Sequence, residues 1–190
     1  LALGEITGDW GGGDALGMQA LWCAIRAEDG RGPPTMLREA VAKHFDVPEV
    51  RDVAIGLHRG AIAGEMLLEL APVLLDLAGS GDDVARGVVS RLADEVCVMA
   101  LTAIRRLDLA SAAVPVVLGG GLLAAASPLL TEKIAAGLAA GAPAAVMRIA
   151  DVPPVAGAAL LGLDHVAAPA SAQERLRAAY PGLPPRPPGH

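Results

Sequence analysis

The chain has 190 residues, of which 53% are apolar but only 2% aromatic, and a net charge of −6. Its core must therefore be built from Ala, Leu and Val, which favours closely packed helices and a small sheet, in one domain or in half of a two-lobed protein. Acidic and basic residues are interspersed, no basic stripe exists, and one Tyr, one Phe and two Trp cannot form a base-stacking platform, so nucleic acid is not an expected partner.

The opening, Leu1 to Thr7, alternates weakly and reads as the end of a strand, and Gly8 to Gly13 reads as a loop. Asp14 is placed to cap a helix running to about Ala27, with Leu16, Ala20, Cys23 and Ala24 on one face. Glu28 to Pro34 is a polar connector rich in Gly and Pro. Thr35 then caps a helix carrying Leu37, Val41 and Phe45, and Pro48 introduces another from about Glu49 to His58.

Met66 to Ala78 has a helical period interrupted by Pro72, and Gly79-Ser80-Gly81-Asp82 marks a turn and a fresh N-cap. The next helix is the plainest in the chain: Val84, Val88, Leu92, Val96, Met99 and Ile104 recur at three- to five-residue steps. Arg105 and Arg106 close it where the helix dipole favours cations. Val114 to Leu118 is wholly apolar and predicts a buried strand that runs into Gly119, Gly120 and Gly121. A helix over Ser127 to Ala140, a strand over Ala145 to Ile149 and a helix over Pro153 to Leu163 follow, an order that predicts a parallel pair. Ser171 to Tyr180 reads as a short polar helix, and Pro181 to Pro188 as a proline-rich tail.

The uncharged stretch Leu109 to Thr131 is long enough for a membrane span, but Pro115, the three glycines and Pro128 break it, so no transmembrane segment is expected. Cys23 and Cys97 lie far apart in helical apolar patterns, with no CxxC spacing and no histidine at ligand distance, as buried reduced thiols of a cytoplasmic protein would. The chain begins at Leu1 without a methionine, as a fragment or a trimmed product does.

Two glycine clusters are the candidate binding elements. In Gly8-Asp9-Trp10-Gly11-Gly12-Gly13 the backbone allows close approach, and the amides entering the next helix point toward any anion there. Asp9 then accepts a hydrogen bond from a substrate hydroxyl, binds a water on Mg2+, or is simply a solvated carboxylate. At Gly119 to Gly121 the bare strand end allows an adenine or ribose to lie flat, at the place where ligands gather in α/β folds, or makes only a tight turn. His44, His58, His165 and His190 are scattered singly, and no serine has a G-x-S-x-G context, which argues against metal or hydrolase chemistry.

Gly4-Glu5-Ile6-Thr7-Gly8-Asp9-Trp10-Gly11-Gly12 resembles the G-x-x-x-G-D-E-G-S segment of N-acetylglucosamine kinases and BadF/BadG/BcrA/BcrD-type ATPases. Arg26 to Pro34, Leu57-His58-Arg59-Gly60, Leu70-Ala71-Pro72, Gly81-Asp82 with Ala85, the run at Gly119 and Pro153 to Ala158 fall in that family's order, so the resemblance covers about Leu1 to Leu163. It implies an α/β fold: the second lobe of a ribonuclease-H-like, actin-like ATPase, helix-rich with a small mixed sheet and truncated at its N-terminus. On this reading residues 1–168 form the C-terminal lobe and 169–190 a short polar helix and tail.

The implied activity of the full-length parent is ATP- and Mg2+-dependent phosphorylation of an amino sugar, N-acetylglucosamine or glucosamine. The catalytic base would lie in a missing N-terminal lobe, and the isolated piece would be inactive. By the same resemblance Asp9 matches a sugar-binding carboxylate, Gly4 a backbone position beside the sugar, Gly119, Gly120 and Gly121 the adenosine motif, and Leu68 a position near the adenine pocket. Trp10 stands where many members have Glu, and Gly12 where they have Ser; a tryptophan there either stacks on a sugar ring or packs between lobes. A lone lobe is also expected to expose an apolar face and to form a homodimer through it. Two other readings stand beside the kinase: an ATPase activator of an acyl-CoA dehydratase or reductase, which holds an iron–sulfur cluster through cysteines, and a ligand-binding lobe without turnover.

Overall fold

A computed structural model describes residues 3–124, 127–150 and 152–181. Where a strand end was expected, Gly4–Thr7 forms a 3-10 turn. The Leu3 amide donates to Thr7 Oγ1 at 2.8 Å, a local bond that folds the chain back on itself. Helix α1 spans Gly12–Glu28 and starts two residues before Asp14. Gly11 occupies its N-cap position without a side-chain cap, while Asp14 sits in the first turn, where its charge still complements the dipole.

Helix α2, Leu37–His44, is capped from two residues upstream, the Leu37 amide donating to Thr35 Oγ1 at 3.1 Å. Helix α3, Val50–Arg59, opens with a reciprocal capping box between Glu49 and Asp52 and stops at Gly60 in the left-handed region. A 3-10 segment, Gly64–Glu69, leads into helix α4, Leu70–Gly79. Pro72 does not interrupt this helix: it falls in the first turn, where a missing N–H costs nothing. Helix α5, Asp83–Arg106, is the long helix that the periodicity predicts, with Asp82 as its N-cap.

The buried faces of α1 to α5 form one aliphatic core, which Leu118, Leu130, Ile134 and Leu138 extend toward the C-terminal half. Two glycines let helices touch there. An added Cβ on Gly17 of α1 would lie 1.9 Å from the Leu67 carbonyl oxygen, and one on Gly137 would lie 2.5 Å from Cys97 Sγ. Backbone-to-backbone approach of this kind fills space in a core that has few large aromatic residues.

Strand β1, Pro115–Leu118, is followed by the short helix α6, Gly121–Ala124, then by α7, Pro128–Gly141, and strand β2, Val146–Ile149. The strands pair in parallel, with Pro115 opposite Val146 and Leu118 opposite Ile149, and α7 lies in the crossover between them. Among the described residues the sheet is this parallel pair alone, not a mixed sheet.

Nor is β1 buried throughout. Leu118 is buried and Val116 packs against the core, but Val117 is 61% exposed. An apolar sequence on both faces hid the inward–outward alternation of a strand covered on one side.

Helix α8, Pro154–His165, packs against α9, Ala170–Ala179, and Gln173 Nε2 donates to Asp164 Oδ1 across that contact. The polar segment after residue 168 is therefore helical, as expected. The proline-rich tail from residue 182 onward lies outside the described residues. No helix among the described residues is long and apolar enough to cross a membrane.

Candidate functional site

Both glycine clusters line one open cleft of about 1090 Å³. Asp9, Trp10 and Gly11 to Gly13 form one side, and Gly119, Gly120 and Gly121 close another at the end of β1. The walls come from α4 and α5, through Ala71, Leu75, Leu92, Val96 and Met99, and from Ser127 and Pro128 at the start of α7. Segments more than a hundred positions apart in sequence meet here because α1, α4 and α5 share a core and α7 packs along α5, carrying the β1 end to the α1 N-terminus.

The local geometry explains the residue types. Gly11 has φ of 133°, and a Cβ there would come within 2.9 Å of Leu92 Cδ1, so only glycine lets the loop settle on α5. Gly120 has φ of 94° with nothing within 4 Å of an added Cβ, so its backbone borders open space. Gly12 and Gly121 have the same free space beside them. Bare peptide on two sides of an apolar hollow suits a flat heteroaromatic ring and a sugar, which need close approach and a few backbone hydrogen bonds.

Asp9 is half-buried, and Thr7 Oγ1 donates to its Oδ2 at 2.8 Å, which orients the carboxylate at the rim. Asp76, on α4, is the other ionisable side chain among the described lining residues, which include no Lys, Arg or His. Positive potential comes instead from backbone. The N-termini of α1 and α7 both border the cleft, and neither has a side-chain cap on its first amides.

Trp10 borders the cleft with one ring face already covered: the Arg91 guanidinium carbon lies 3.9 Å from the ring centroid. Leu68 also borders it, from the 3-10 segment and not from a helix, leaning over the start of α1 so that a Cβ on Gly13 would sit 2.7 Å from Leu68 Cδ2. Gly4 begins the 3-10 turn that precedes the lining residues. The sequence reading missed the α4 and α5 walls and Asp76. Their one visible signal is an apolar stripe on α5 wider than the core requires, which leaves Val98 and Met99 more than half exposed.

Cys23 and Cys97 are both unpaired and buried, within α1 and α5. Burial raises the pKa of each thiol; Gln19 Nε2, 3.6 Å from Cys23 Sγ, only partly offsets this at Cys23. Among the described residues no three His, Cys, Asp or Glu side chains gather as a metal site. No protein-family model matches the chain, and no curated protein matches it.

Proposed function

We propose that the cleft holds a nucleotide beside a hydroxylated amino sugar, and that the chain is the nucleotide- and sugar-binding lobe of an ATP-dependent amino-sugar kinase. The fold that goes with this reading is the second lobe of a ribonuclease-H-like, actin-like ATPase. One observation carries it: the Asp9 loop and the Gly119–Gly121 strand end, distant in sequence, border the same apolar hollow.

Adenosine fits the α4–α5 side, where Leu75, Val96 and Met99 offer apolar surface and Gly119 to Gly121 leave the ring unobstructed. Asp9, held by Thr7, accepts a hydrogen bond from a sugar hydroxyl at the opposite rim. The amides of the α1 and α7 N-termini face the phosphates. ATP supplies the transferred phosphoryl group, and the protein's share of such a transfer is positioning and charge neutralisation. Mg2+ would enter with the nucleotide and supply charge neutralisation at the phosphates, with Asp9 as the carboxylate that could hold one of its waters. By the family resemblance, the base toward the sugar hydroxyl belongs to a partner lobe.

Two measurements test the reading. Titration of the chain with ATP and Mg2+ is expected to give a dissociation constant of about 1 mM, some 4 kcal/mol of binding for half a site. Gly120→Val, which puts a side chain into the cleft, abolishes it. Absence of ATP binding, or binding unchanged in that variant, refutes the pocket. With a lobe carrying an Asp-x-Gly hairpin supplied, glucosamine or N-acetylglucosamine is phosphorylated, and undiminished turnover in Asp9→Ala removes Asp9 from the site. Binding without turnover favours the non-catalytic lobe. The activator reading lacks support, because both cysteines are sealed inside helices.

A further inference from the structure

We infer that Arg91, stacked on Trp10, recognises the phosphate chain of the nucleotide and is the cation that the cleft lining lacks; this rests on the nucleotide reading above. Three observations converge. Among the described residues the lining holds two carboxylates and no cationic side chain, so there the counter-charge offered to a polyanion comes from helix N-termini.

Arg91 stands beside that lining. It precedes Leu92, which borders the cleft and receives the Gly11 loop, and its guanidinium lies over Trp10, itself a lining residue. Its donors are also free. Among the described residues Arg91 makes no hydrogen bond and no ion pair, in contrast to Arg86 on the same helix, whose Nε donates to the Ala78 carbonyl at 3.0 Å.

The stacking decides what such an arginine can do. A guanidinium flat on an indole keeps its five N–H donors in the plane of the fork, pointing away from the ring and available to planar or tetrahedral oxyanions. Trp10 thereby limits the side chain's rotamers, so less entropy is lost when an anion binds. Trp10 is thus a positioning residue, and its covered face is not available for a sugar ring.

The experiment compares ATP, adenosine and inorganic tripolyphosphate, each with Mg2+, titrated into the wild-type chain, Arg91→Ala, Arg91→Lys and Trp10→Leu. Arg91→Ala is expected to weaken ATP and tripolyphosphate about tenfold and to leave adenosine unchanged, with Arg91→Lys intermediate. Trp10→Leu is expected to weaken ATP threefold or more, again without effect on adenosine. Unchanged ATP affinity in Arg91→Ala, or an equal loss for adenosine, overturns the inference while the nucleotide pocket stands. A wild-type chain that binds neither ATP nor adenosine overturns the nucleotide reading, and this inference with it. Arg91 is exposed, so its variants are expected to fold.

Discussion

Asp82 is the residue whose removal has the most calculable consequence. It is 6% exposed and accepts hydrogen bonds from the Ala85 amide at 2.8 Å, the Met36 amide at 2.7 Å and Thr35 Oγ1 at 2.8 Å, with the Val84 amide adding to them. One carboxylate therefore caps α5 and ties the loop before α2 to it. Asp82→Ala loses the cap, worth about 1 kcal/mol. It also leaves the Met36 amide and the Thr35 hydroxyl without their acceptor, at about 1 kcal/mol each, for a total near 3 kcal/mol.

For a chain of this size the cost appears as a fall in Tm of roughly 6–12 °C, or of about 1.5 M in the urea midpoint. Urea unfolding followed by far-UV circular dichroism measures it, with Asp82→Asn as the companion that keeps an acceptor oxygen but not the charge. Burial pushes the Asp82 carboxyl up, but the bonds from Ala85, Met36, Thr35 and Val84 outweigh it and hold the pKa below its ordinary 3.8. A depressed carboxylate pKa stabilises the fold at pH values above 3.8, and that contribution is lost as pH falls through the folded value. The stability gap between wild type and Asp82→Asn should therefore be flat from about pH 5 to 7 and close at lower pH. A midpoint for Asp82→Ala within about 0.3 M of wild type, or a gap that widens in acid, refutes the account.

Gly17→Ala is expected to destabilise by about 3 kcal/mol, because its Cβ would lie 1.9 Å from the Leu67 carbonyl oxygen and backbone has to move; thermal unfolding by calorimetry reads this directly. Gly120→Ala meets no atom within 4 Å, so its stability cost is only the roughly 1–2 kcal/mol of a left-handed alanine, while ATP affinity measured by calorimetry falls more than that strain explains. Burial raises both thiols, so Cys23 and Cys97 should react with an aromatic disulfide reagent only in denaturant, where two thiols per chain titrate. Rapid labelling in the native state would show that one of them reaches solvent.

Local structure was legible wherever a short-range signal sets it. Asp82, Pro128 and the α5 stripe predict their helices because capping, proline at the first turn and a 3.6-residue period all act within a few positions. The two glycine clusters were legible as stretches of bare backbone for a similar reason, since glycine in a row is itself the local feature, and the structure places both at one cleft. What failed was anything decided by distant neighbours. Val117 looks like core in an apolar run, yet it is 61% exposed, since among the described residues only the Val116 and Leu118 side of β1 packs against the core. Leu1 to Thr7 alternates like a strand in sequence, but among the described residues no strand pairs with residues 3 to 7, and the Thr7 hydroxyl draws them into a turn. Asp76 and the α4 wall belong to the cleft only through the packing of α4 on α5, which no spacing in either helix announces.

Glycine identity alone does not separate function from packing in this chain, and the neighbours of each glycine do. Gly17 and Gly137 are small because another element occupies the place of a side chain, so their substitution is read out as stability. Gly60 has open space, but at the C-terminus of α3, where its left-handed φ of 72° ends a helix. Gly12, Gly120 and Gly121 have open space inside a hollow whose other walls are apolar. Gly12 and Gly120 carry φ of 79° and 94° and are, like Gly60, held in a conformation that favours glycine, which leaves Gly121 as the one of the three without a conformational or steric reason to be bare. A guest that fills the cleft gives a reason for the missing side chain at Gly121, and Gly121→Ala should therefore separate ligand affinity from stability, where Gly17 and Gly137 cannot and where Gly12 and Gly120 add the strain of a left-handed side chain.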